Sequence, residues 1–402
     1  MALKTVAVLG STGSIGTQAL EVIDRHRDRF EVVALAAGGN RLELLAQQVL
    51  AFNPQHVAVP TPSAAAALER ALSTENAERR RHNGSARHRL PEIWVGPNAS
   101  ERIAAQGAEV VLNALAGAAG LRPTLAALRA GSTLALANKE SLVIGGALVQ
   151  SQLQRPDQIV PVDSEHSALA QCLRAGQRAE VDRLILTASG GPFRGRTREQ
   201  LKRVTPAEAL QHPTWAMGPL VTVNSSTLFN KALELIEAHL LFSFPPERID
   251  VVVHPQSQVH SMVQFRDGAV IAQVSPPDMR LPIALALAWP ERLNGVIPSN
   301  NWNAATQWHF EPLDESVFPA VQMARQALTA SPLHPAVFNG ANEACVEAFL
   351  DGRLSYLGIT DTVAAVLQRF TSSVLPGTVP SLEQVMAADA WGRTQAEVEG
   401  NP

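Results

Sequence analysis

The stretch KTVAVLGSTGSIG, residues 4–16, decides the fold of the N-terminal part of the chain. It opens with a short apolar run containing two valines, which predicts a buried strand. Gly10, Gly13 and Gly16 follow, and a helical pattern then continues to about residue 27. Glycines between a strand and a helix permit a tight turn, and the free N–H groups of a helix N-terminus bind phosphate. The pattern therefore predicts a dinucleotide-binding turn.

Strand and helix patterns continue to alternate after this turn. Such alternation is typical of a doubly wound parallel sheet with helices on both faces. We therefore predict α/β architecture, with an N-terminal Rossmann-like domain over residues 1–158. The strand patterns that follow the first one lie at 30–36, 56–60, 109–115, 132–138 and the segment ending in IVPVD at 163.

The pattern changes after residue 180, where strands, glycine-rich turns and loops mix with one clear helix, SSTLFNKALELIEAHLLF. We expect a central α+β catalytic domain over 159–292, followed by a proline- and asparagine-rich linker at 293–315. A small α-helical C-terminal domain is predicted for 316–402. The arginine-rich segment at 78–90 is interpreted as a solvated helix end and loop rather than a nucleic-acid patch.

The composition excludes several classes of protein. The 402 residues carry a net charge of −4, so no basic field suggests nucleic acid as a partner. The only two cysteines, Cys172 and Cys345, lie in separate apolar patterns, which argues against a disulfide scaffold. No apolar run reaches about 20 residues, the length of a membrane span. The first strand begins too early to leave room for a signal peptide, so we expect a cytoplasmic protein.

The choice of dinucleotide depends on the end of the second strand, ALAAGGNR at 34–41. A site for NAD usually places an acidic residue there, and this strand has none. Gly38, Gly39 and Asn40 leave room for a bulkier group, and Arg41 would face a 2′-phosphate. This favours NADP, although an arginine after a strand is also commonly just solvated.

Asn138, Lys139 and Glu140 end a later strand. Ligands bind beyond the carboxyl ends of parallel strands, so we expect this turn to face the nicotinamide. The alternative is an ordinary helix start with its charged side chains in water.

Asp163 and Glu165 follow the strand IVPV, and they would serve either as helix-capping acids or as metal ligands. Glu234, on the half-buried helix, supplies a third acid. The alternative there is an exposed Lys231–Glu234 pair, which would contribute about 0.3–0.5 kcal/mol. Three carboxylates without a sulfur ligand suit Mg²⁺ or Mn²⁺.

Serines, an asparagine and a lysine gather near the start of the same helix, a combination that suits a phosphate monoester. Ser225 lies there, and Ser189 lies beside two glycines in the turn TASGGPF, a second anion-binding pattern. The loop QHPTWAMGP, residues 211–219, carries Trp215 and would be either a water-excluding lid or a loop pinned by a buried tryptophan.

These stretches together resemble the 1-deoxy-D-xylulose 5-phosphate reductoisomerase family. The resemblance covers about residues 5–350, and its motifs occur in the family's order. They are LGSTGSIG, LANKESLV, VDSEH, TASGGPFR, HPTWAMG, NKALELIEA, HPQSQVHSMV, PPDMRLPI and NGANEACVEAFL.

The resemblance implies an NADPH- and metal-dependent enzyme that rearranges 1-deoxy-D-xylulose 5-phosphate by retro-aldol and aldol steps. Hydride transfer would then give 2-C-methyl-D-erythritol 4-phosphate, an isoprenoid precursor. It also implies a homodimer, and Co²⁺ as a further usable metal.

Carried over residue by residue, the family's functional groups fall on the following positions. The implied metal ligands are Asp163, Glu165 and Glu234, and the catalytic groups are Lys139, Ser164, Glu165 and His212. The implied substrate contacts are Ser189, Trp215, Ser225, Asn230, Lys231 and Glu234. The implied cofactor contacts are Thr12, Gly13, Ser14, Ile15, Gly38, Gly39, Asn40, Asn138, Glu140 and Gly218.

The sequence departs from many family members at four positions. Pro219 and Leu220 stand where basic residues are common, Asn224 where an aspartate is common, and Gly39 where a basic residue is common. Arg41 is therefore the candidate for holding the 2′-phosphate. The competing functions are another NADP-dependent dehydrogenase of a small phosphorylated or acidic substrate, which needs no metal triad, and a non-catalytic NADP-binding module.

Overall fold

A computed structural model of the chain describes residues 2–83, 90–215 and 217–400, and the side chains at 76–83 are excluded. The strands are β1 Lys4–Leu9, β2 Phe30–Ala36, β3 His56–Val59, β4 Glu92–Val95, β5 Val110–Asn113, β6 Thr133–Leu136, β7 Ile159–Pro161, β8 Val181–Ala188, β9 Ile249–Val253, β10 Val259–Phe265, β11 Val270–Val274 and β12 Glu311–Pro312.

The helices through the middle of the chain are α1 Ser14–Arg25, α2 Leu42–Phe52, α3 Pro62–Asn83, α4 Ala99–Ala104, α5 Leu121–Arg129, α6 Lys139–Gln150, α7 Ser164–Cys172, α8 Arg198–Leu201, α9 Pro206–Ala209 and α10 Pro219–Ser226. Those that follow are α11 Phe229–Phe242, α12 Arg280–Ala288, α13 Ala320–Ala330, α14 His334–Leu350, α15 Tyr356–Arg369 and α16 Leu382–Glu399.

The first of two compact units contains the described residues of Met1–Asn138, Gln152–Asp163 and Met279–Val296. Its sheet has the strand order β4-β3-β2-β1-β5-β6-β7, and every pairing described in it is parallel. The strand order reverses beside β1, between β2 and β5. Ligands of doubly wound sheets bind at such a reversal, beyond the carboxyl ends of the strands. The predicted Rossmann-like sheet is confirmed.

Burial on both faces explains why these strands form. Val6, Val8 and Leu9 of β1 are each 0% exposed, and β5 is buried along its whole length. A parallel sheet covered by helices on both faces requires continuous apolar strands of this kind. The short strand β4 was not predicted, because it has only four residues, the first and last of which are exposed, and only Trp94 is buried.

The second unit contains the described residues of Lys139–Ser151, Ser164–Asp278 and Ile297–Pro402. Its sheet has the order β11-β10-β8-β9-β12, and only the β8–β9 pair is parallel. Leu184 and Leu186 of β8 share a buried core with Leu235 of α11 and Val321 of α13. This packing fixes α11 against the sheet, and the predicted mixture of α and β structure is confirmed.

The segment expected to be a linker contains β12, whose Glu311 and Pro312 pair with β9. Helix α3 continues into the arginine-rich segment as far as Asn83, and residues 84–89 lie outside the described part of the chain. Among the described residues, no helix combines the length and apolar character needed to cross a membrane.

Candidate active site

The backbone of the glycine-rich turn after β1 packs too closely to allow side chains at two of its glycines. Gly10 has φ +83°, and a Cβ there would lie 2.4 Å from the carbonyl oxygen of Ala114. A Cβ on Gly16 would lie 2.3 Å from the carbonyl oxygen of Gly10. Gly13 precedes α1 without a side-chain cap, and both Gly13 and Ser14 are exposed. The first N–H groups of α1 therefore face outward, as an anion site requires.

Arg41, which was predicted to face a 2′-phosphate, lies beside this turn. Its Nη1 donates to the carbonyl oxygen of Thr12 at 2.9 Å. Gly38 is exposed and has no atom within 4 Å of an added Cβ, so the end of β2 is open there. Gly39 takes φ +91°, and a Cβ on it would lie 3.3 Å from Cβ of Ala64. Asn40 is exposed at the same end.

Asn138 ends the segment after β6 and is 2% exposed, with its Nδ2 donating to the carbonyl oxygen of Gly117 at 3.0 Å. Its side chain therefore holds the segment that follows β5. Lys139 and Glu140 are the first two residues of α6. The helix start of the alternative interpretation is present, but Lys139 enters the cluster described next instead of lying in water.

The centre of the second unit is the carboxylate of Glu234 on α11, which is 1% exposed. Lys139 Nζ lies 3.2 Å from Glu234 Oε1 and 3.0 Å from Asn230 Oδ1. Asn230 Nδ2 donates to the same Oε1, and Lys231 Nζ donates to Oε2. Two ammonium groups and an amide therefore surround one buried carboxylate, as a buried charge requires.

Lys231 joins this carboxylate to Glu165 on α7, with Nζ 2.8 Å from Glu165 Oε1. The Lys231–Glu234 pair does form, yet its side chains are only 4% and 1% exposed, so the alternative of an exposed surface pair is wrong. Burial opposes the charge on Lys231, but the carboxylates of Glu165 and Glu234 outweigh it and raise the Lys231 pKa. The ammonium therefore stays charged at neutral pH.

Three carboxylates converge beside this cluster. Asp163, peptide-bonded to the first residue of α7, offers an oxygen that lies within 4.8 Å of oxygens from Glu165 and Glu234. Ser164 Oγ donates to Glu165 Oε2 at 2.6 Å and so orients that carboxylate. An all-oxygen set of three carboxylates fits a hard divalent cation such as Mg²⁺.

Two buried residues that the sequence reasoning left without a role support this arrangement. His166 Nε2 lies 2.8 Å from the carbonyl oxygen of Glu234, and its Nδ1 lies 3.2 Å from Glu237 Oε2. Both side chains are at most 1% exposed. Glu237 is three residues after Glu234 and so shares its helix face, a spacing that would have signalled it.

His212 connects Ser189 to the loop that carries Trp215. Its Nδ1 accepts the backbone N–H of Thr214 at 3.1 Å and that of Trp215 at 2.9 Å. These bonds leave the proton on Nε2, which donates to Ser189 Oγ at 3.1 Å. Burial lowers the pKa of His212 from its ordinary value of 6.5.

Trp215 itself is half-buried, and its ring centroid lies 6.4 Å from that of His260. His260 is almost fully buried, and burial lowers its pKa. The predicted loop 211–219 includes Ala216, which lies outside the described residues. Gly218 precedes α10 as its N-cap.

The helix expected to start at Ser225 is two helices. Ser225 and Ser226 end α10, and α11 begins at Phe229. Leu228 separates them in the left-handed conformation, with φ 62° and ψ 12°. The prediction that Ser225 lies at a helix N-terminus is therefore wrong, because a left-handed residue cannot continue an α-helix. Asn230 and Lys231 do lie in the first turn of α11.

Comparison with known proteins identifies the family. Family models described as 1-deoxy-D-xylulose 5-phosphate reductoisomerase, its C-terminal domain and the DXP reductoisomerase C-terminal domain match residues 6–146, 159–242 and 274–395. The 1-deoxy-D-xylulose 5-phosphate reductoisomerases of Beutenbergia cavernae and Cutibacterium acnes are 58% and 57% identical to this chain. The alignments cover 98% of this chain and 97% and 98% of those proteins.

Two solved structures are similar over almost the whole chain. One is the reductoisomerase from Zymomonas mobilis in complex with NADPH, with a TM-score of 0.87 and 40% identity over 99% of both chains. Another is a DOX-P reductoisomerase in complex with NADPH, fosmidomycin and magnesium, with a TM-score of 0.89 and 34% identity. That alignment covers 99% of this chain and 98% of the other. The chain therefore belongs to the 1-deoxy-D-xylulose 5-phosphate reductoisomerase family.

Proposed function

We propose that this protein converts 1-deoxy-D-xylulose 5-phosphate to 2-C-methyl-D-erythritol 4-phosphate in isoprenoid biosynthesis, using NADPH and a divalent metal ion. The observation that carries the proposal is the cluster at the starts of α6 and α7 and on α11, in a chain of this family. There, Asp163, Glu165 and Glu234 present carboxylate oxygens within 4.8 Å of one another, beside the ammonium groups of Lys139 and Lys231.

The donor set fits Mg²⁺ or Mn²⁺, and Asp163, Glu165 and Glu234 would hold the ion. When bound, the ion supplies a Lewis acid and an orienting template for the substrate's ketone and hydroxyl oxygens. Ser164 orients the Glu165 carboxylate by its hydrogen bond of 2.6 Å. Lys139 brings a positive charge to the same place, where it stabilises negative charge on substrate oxygens during carbon–carbon cleavage and recombination.

The glycine turn fits the cofactor, because Gly10 and Gly16 let its backbone pack closely at the start of α1, where Gly13 and Ser14 are exposed and no side chain caps the helix. We assign the cofactor contacts to Thr12, Gly13, Ser14, Ile15, Gly38, Gly39, Asn40, Asn138, Glu140 and Gly218. Arg41, already beside the turn, is assigned to the 2′-phosphate. NADPH supplies the hydride that reduces the rearranged aldehyde. The domain assignment of 1–158 to cofactor and 159–292 to chemistry belongs to this proposal.

The substrate's phosphate is assigned to Ser189, Ser225, Asn230 and Lys231. Anchoring both fragments of the cleaved substrate through this phosphate would keep their recombination effectively intramolecular. His212 holds Ser189 at 3.1 Å and, through two backbone N–H groups, the segment of Trp215. Trp215 is assigned to the lid that excludes water over the bound substrate.

The direct test mixes the purified protein with NADPH, Mg²⁺ and 1-deoxy-D-xylulose 5-phosphate and follows the absorbance of NADPH. We expect the absorbance to fall, EDTA to stop the reaction, and excess Mg²⁺ or Mn²⁺ to restore it. The control is 1-deoxy-D-xylulose without its phosphate, which should react poorly. NADPH oxidation that continues unchanged in EDTA would favour a metal-independent dehydrogenase and contradict the proposal.

Glu234→Gln tests the metal ligands. The substitution keeps the shape of the side chain but removes the charge. Loss of a residue that only hydrogen-bonds to a metal ligand commonly costs about 10–100-fold in metal affinity or activity, so loss of a ligand's charge should cost more. We therefore expect kcat to fall by more than about 100-fold, with no recovery at high Mg²⁺. Glu347→Gln, at an exposed position of α14, is the matched control and should leave kcat unchanged. Near-normal turnover and Mn²⁺ binding in a folded Glu234→Gln protein would refute the assignment.

The pH dependence of substrate binding tests His212. Because the folded pKa lies below 6.5, the neutral imidazole contributes stability above that pH, and this is lost as pH falls through the folded pKa. Protonated Nδ1 no longer accepts from Thr214 and Trp215, so we expect KM for the sugar phosphate to rise on the acid side. His212→Asn supplies an amide oxygen that does not titrate, and this rise should disappear from its pH profile. An identical acid limb in both proteins would exclude His212 as its cause.

We also propose that the protein is a homodimer that pairs through β11. This strand ends its sheet in the described part of the chain, with Val270 46% and Ile271 39% exposed. An exposed apolar edge strand is a natural pairing surface for a second copy. Light scattering should give twice the chain mass, and Ile271→Lys should give monomers, while Val398→Lys on α16 should not. A monomeric wild type would exclude the dimer.

We place the protein in the cytoplasm, where its two free, buried cysteines would stay reduced. Cell fractionation checks this location, and recovery of the protein outside the cytoplasmic fraction would contradict it.

A further inference from the structure

The residues assigned to the substrate's phosphate stand on two backbone segments that touch each other. One is the turn Ser189–Gly191 after β8, and the other is the junction of α10 and α11 around Ser225. Gly191 has φ +64°, and a Cβ there would lie 3.0 Å from the carbonyl oxygen of Ser225 and 3.1 Å from Cα of Ser226. The positions of the two segments therefore depend on each other, and a small shift at the junction changes the pocket.

The junction is not held by regular helical structure. Leu228 is left-handed with φ 62°, which is rare for a large side chain and requires support from its surroundings. The carbonyl group of Ser226 belongs to the last turn of α10, where carbonyl oxygens lack partners within the helix. The phenol of Tyr356 supplies the partner, and its Oη donates to the Ser226 oxygen at 2.7 Å.

Tyr356 also contacts the other segment. Its ring packs edge-on against Phe193, which follows the glycine turn, with centroids 5.1 Å apart and an interplanar angle of 83°. A second edge contact joins Tyr356 to Phe349 of α14, with ring centroids 5.8 Å apart, and Tyr356 is 3% exposed. Burial raises the pKa of the phenol, so the hydroxyl keeps its proton and remains a donor.

A second buried hydrogen bond reaches the same junction from α14. Asn342 Nδ2 donates to Oδ1 of Asn224 at 2.9 Å, one residue before Ser225. The two side chains are 0% and 3% exposed. Helices α14 and α15 therefore each place one hydrogen-bond donor on the end of α10.

We infer that Tyr356 and Asn342 are positioning residues that hold Ser225 and the α10–α11 junction in the geometry that binds the substrate's phosphate. This inference rests on the proposed function. Neither residue is assigned a contact with substrate, cofactor or metal. Their hydrogen bonds end on Ser226 and Asn224, the two neighbours of Ser225, whereas the carboxylates of Glu165 and Glu234 are held by Lys139, Lys231 and Asn230. Loss of either bond therefore acts on substrate binding more than on the chemical step.

Tyr356→Phe removes the hydroxyl and keeps the ring packing on Phe193 and Phe349. A neutral hydrogen bond contributes about 0.5–1.5 kcal/mol, so KM for the sugar phosphate should rise roughly 2–12-fold. We expect kcat and the KM for NADPH to stay unchanged. Thr360→Val is the matched control, because its hydroxyl donates only within α15, to Leu357 at 3.0 Å. Asn342→Leu should raise the same KM. A Tyr356→Phe protein with the KM of the control would overturn the inference.

A spectroscopic measurement decides the question without turnover. Tyr356 is the only tyrosine of the sequence, so protein made with ¹³Cζ-labelled tyrosine gives one phenol signal. Titration with inorganic phosphate should move this signal in the wild type, and much less in Ser225→Ala. A signal that does not respond while phosphate inhibits the enzyme would refute the coupling between Tyr356 and the pocket. Absence of turnover by the wild type would instead contradict the proposed function, and the titration would still report on Tyr356.

Discussion

The burial of the Glu234 carboxylate is the constraint on which the second unit depends. A carboxylate that is 1% exposed is stable only when other groups replace its lost hydration. Lys139, Lys231 and Asn230 provide that replacement, and Lys231 extends it to Glu165 on α7. Breaking one partner of such a group commonly costs about 3–5 kcal/mol, because it leaves an uncompensated charge. The positions of α6, α7 and α11 are therefore tied to one another by charge as well as by packing.

The sequence predicted the first unit well because its signals are local. A buried strand followed by Gly10, Gly13 and Gly16 needs only neighbouring residues to be recognised, and the end of β2 could be interpreted in the same way. The break at Leu228 could not be predicted, since leucine is rarely left-handed and nothing in SSTLFNKA signals it. The hydrogen bonds that end just before it, on Ser226 and Asn224, come from Tyr356 and Asn342 in distant parts of the chain.

Close helix packing also explains why the bounds of α16 were not predicted from the sequence. Helix α16 lies directly against α14, where a Cβ on Gly340 would lie 2.2 Å from the carbonyl oxygen of Asp389, and one on Gly392 would lie 2.6 Å from that of Val337. Helices that approach this closely use glycine and alanine instead of large apolar side chains. The apolar stripe by which an amphipathic helix is recognised is therefore weak in such a pair. The C-terminal region was predicted as helical, but no bounds were predicted for α16.

In the candidate site too, the groups with a local sequence signal were predicted, and the groups without one were not. Glu165 and Glu234 were predicted as carboxylates with a shared purpose, and their side chains do converge. The supporting groups were not predicted, because Tyr356 and Ser226 are 130 residues apart and Asn342 and Asn224 are 118 apart. A hydrogen bond over such a separation has no signature in the local pattern, so only the fold brings its partners together.

Helix α11 has to occupy a buried position and also supply polar groups to the candidate site. It is buried over most of its length, and it carries three buried polar residues, Lys231, Glu234 and Glu237, beside the half-buried Asn230. Asn230, Lys231 and Glu234 hydrogen-bond to other polar side chains of the cluster, and Glu237 lies 3.2 Å from His166 Nδ1, so the burial of this helix depends on these partners. Lys139 and Lys231 neutralise the carboxylates of Glu165 and Glu234, which are two of the three acids assigned to the metal. A metal ion bound by these acids would compete with the lysines for their carboxylates, and a lysine displaced in this way would keep a charge that a phosphate or a developing oxyanion can balance.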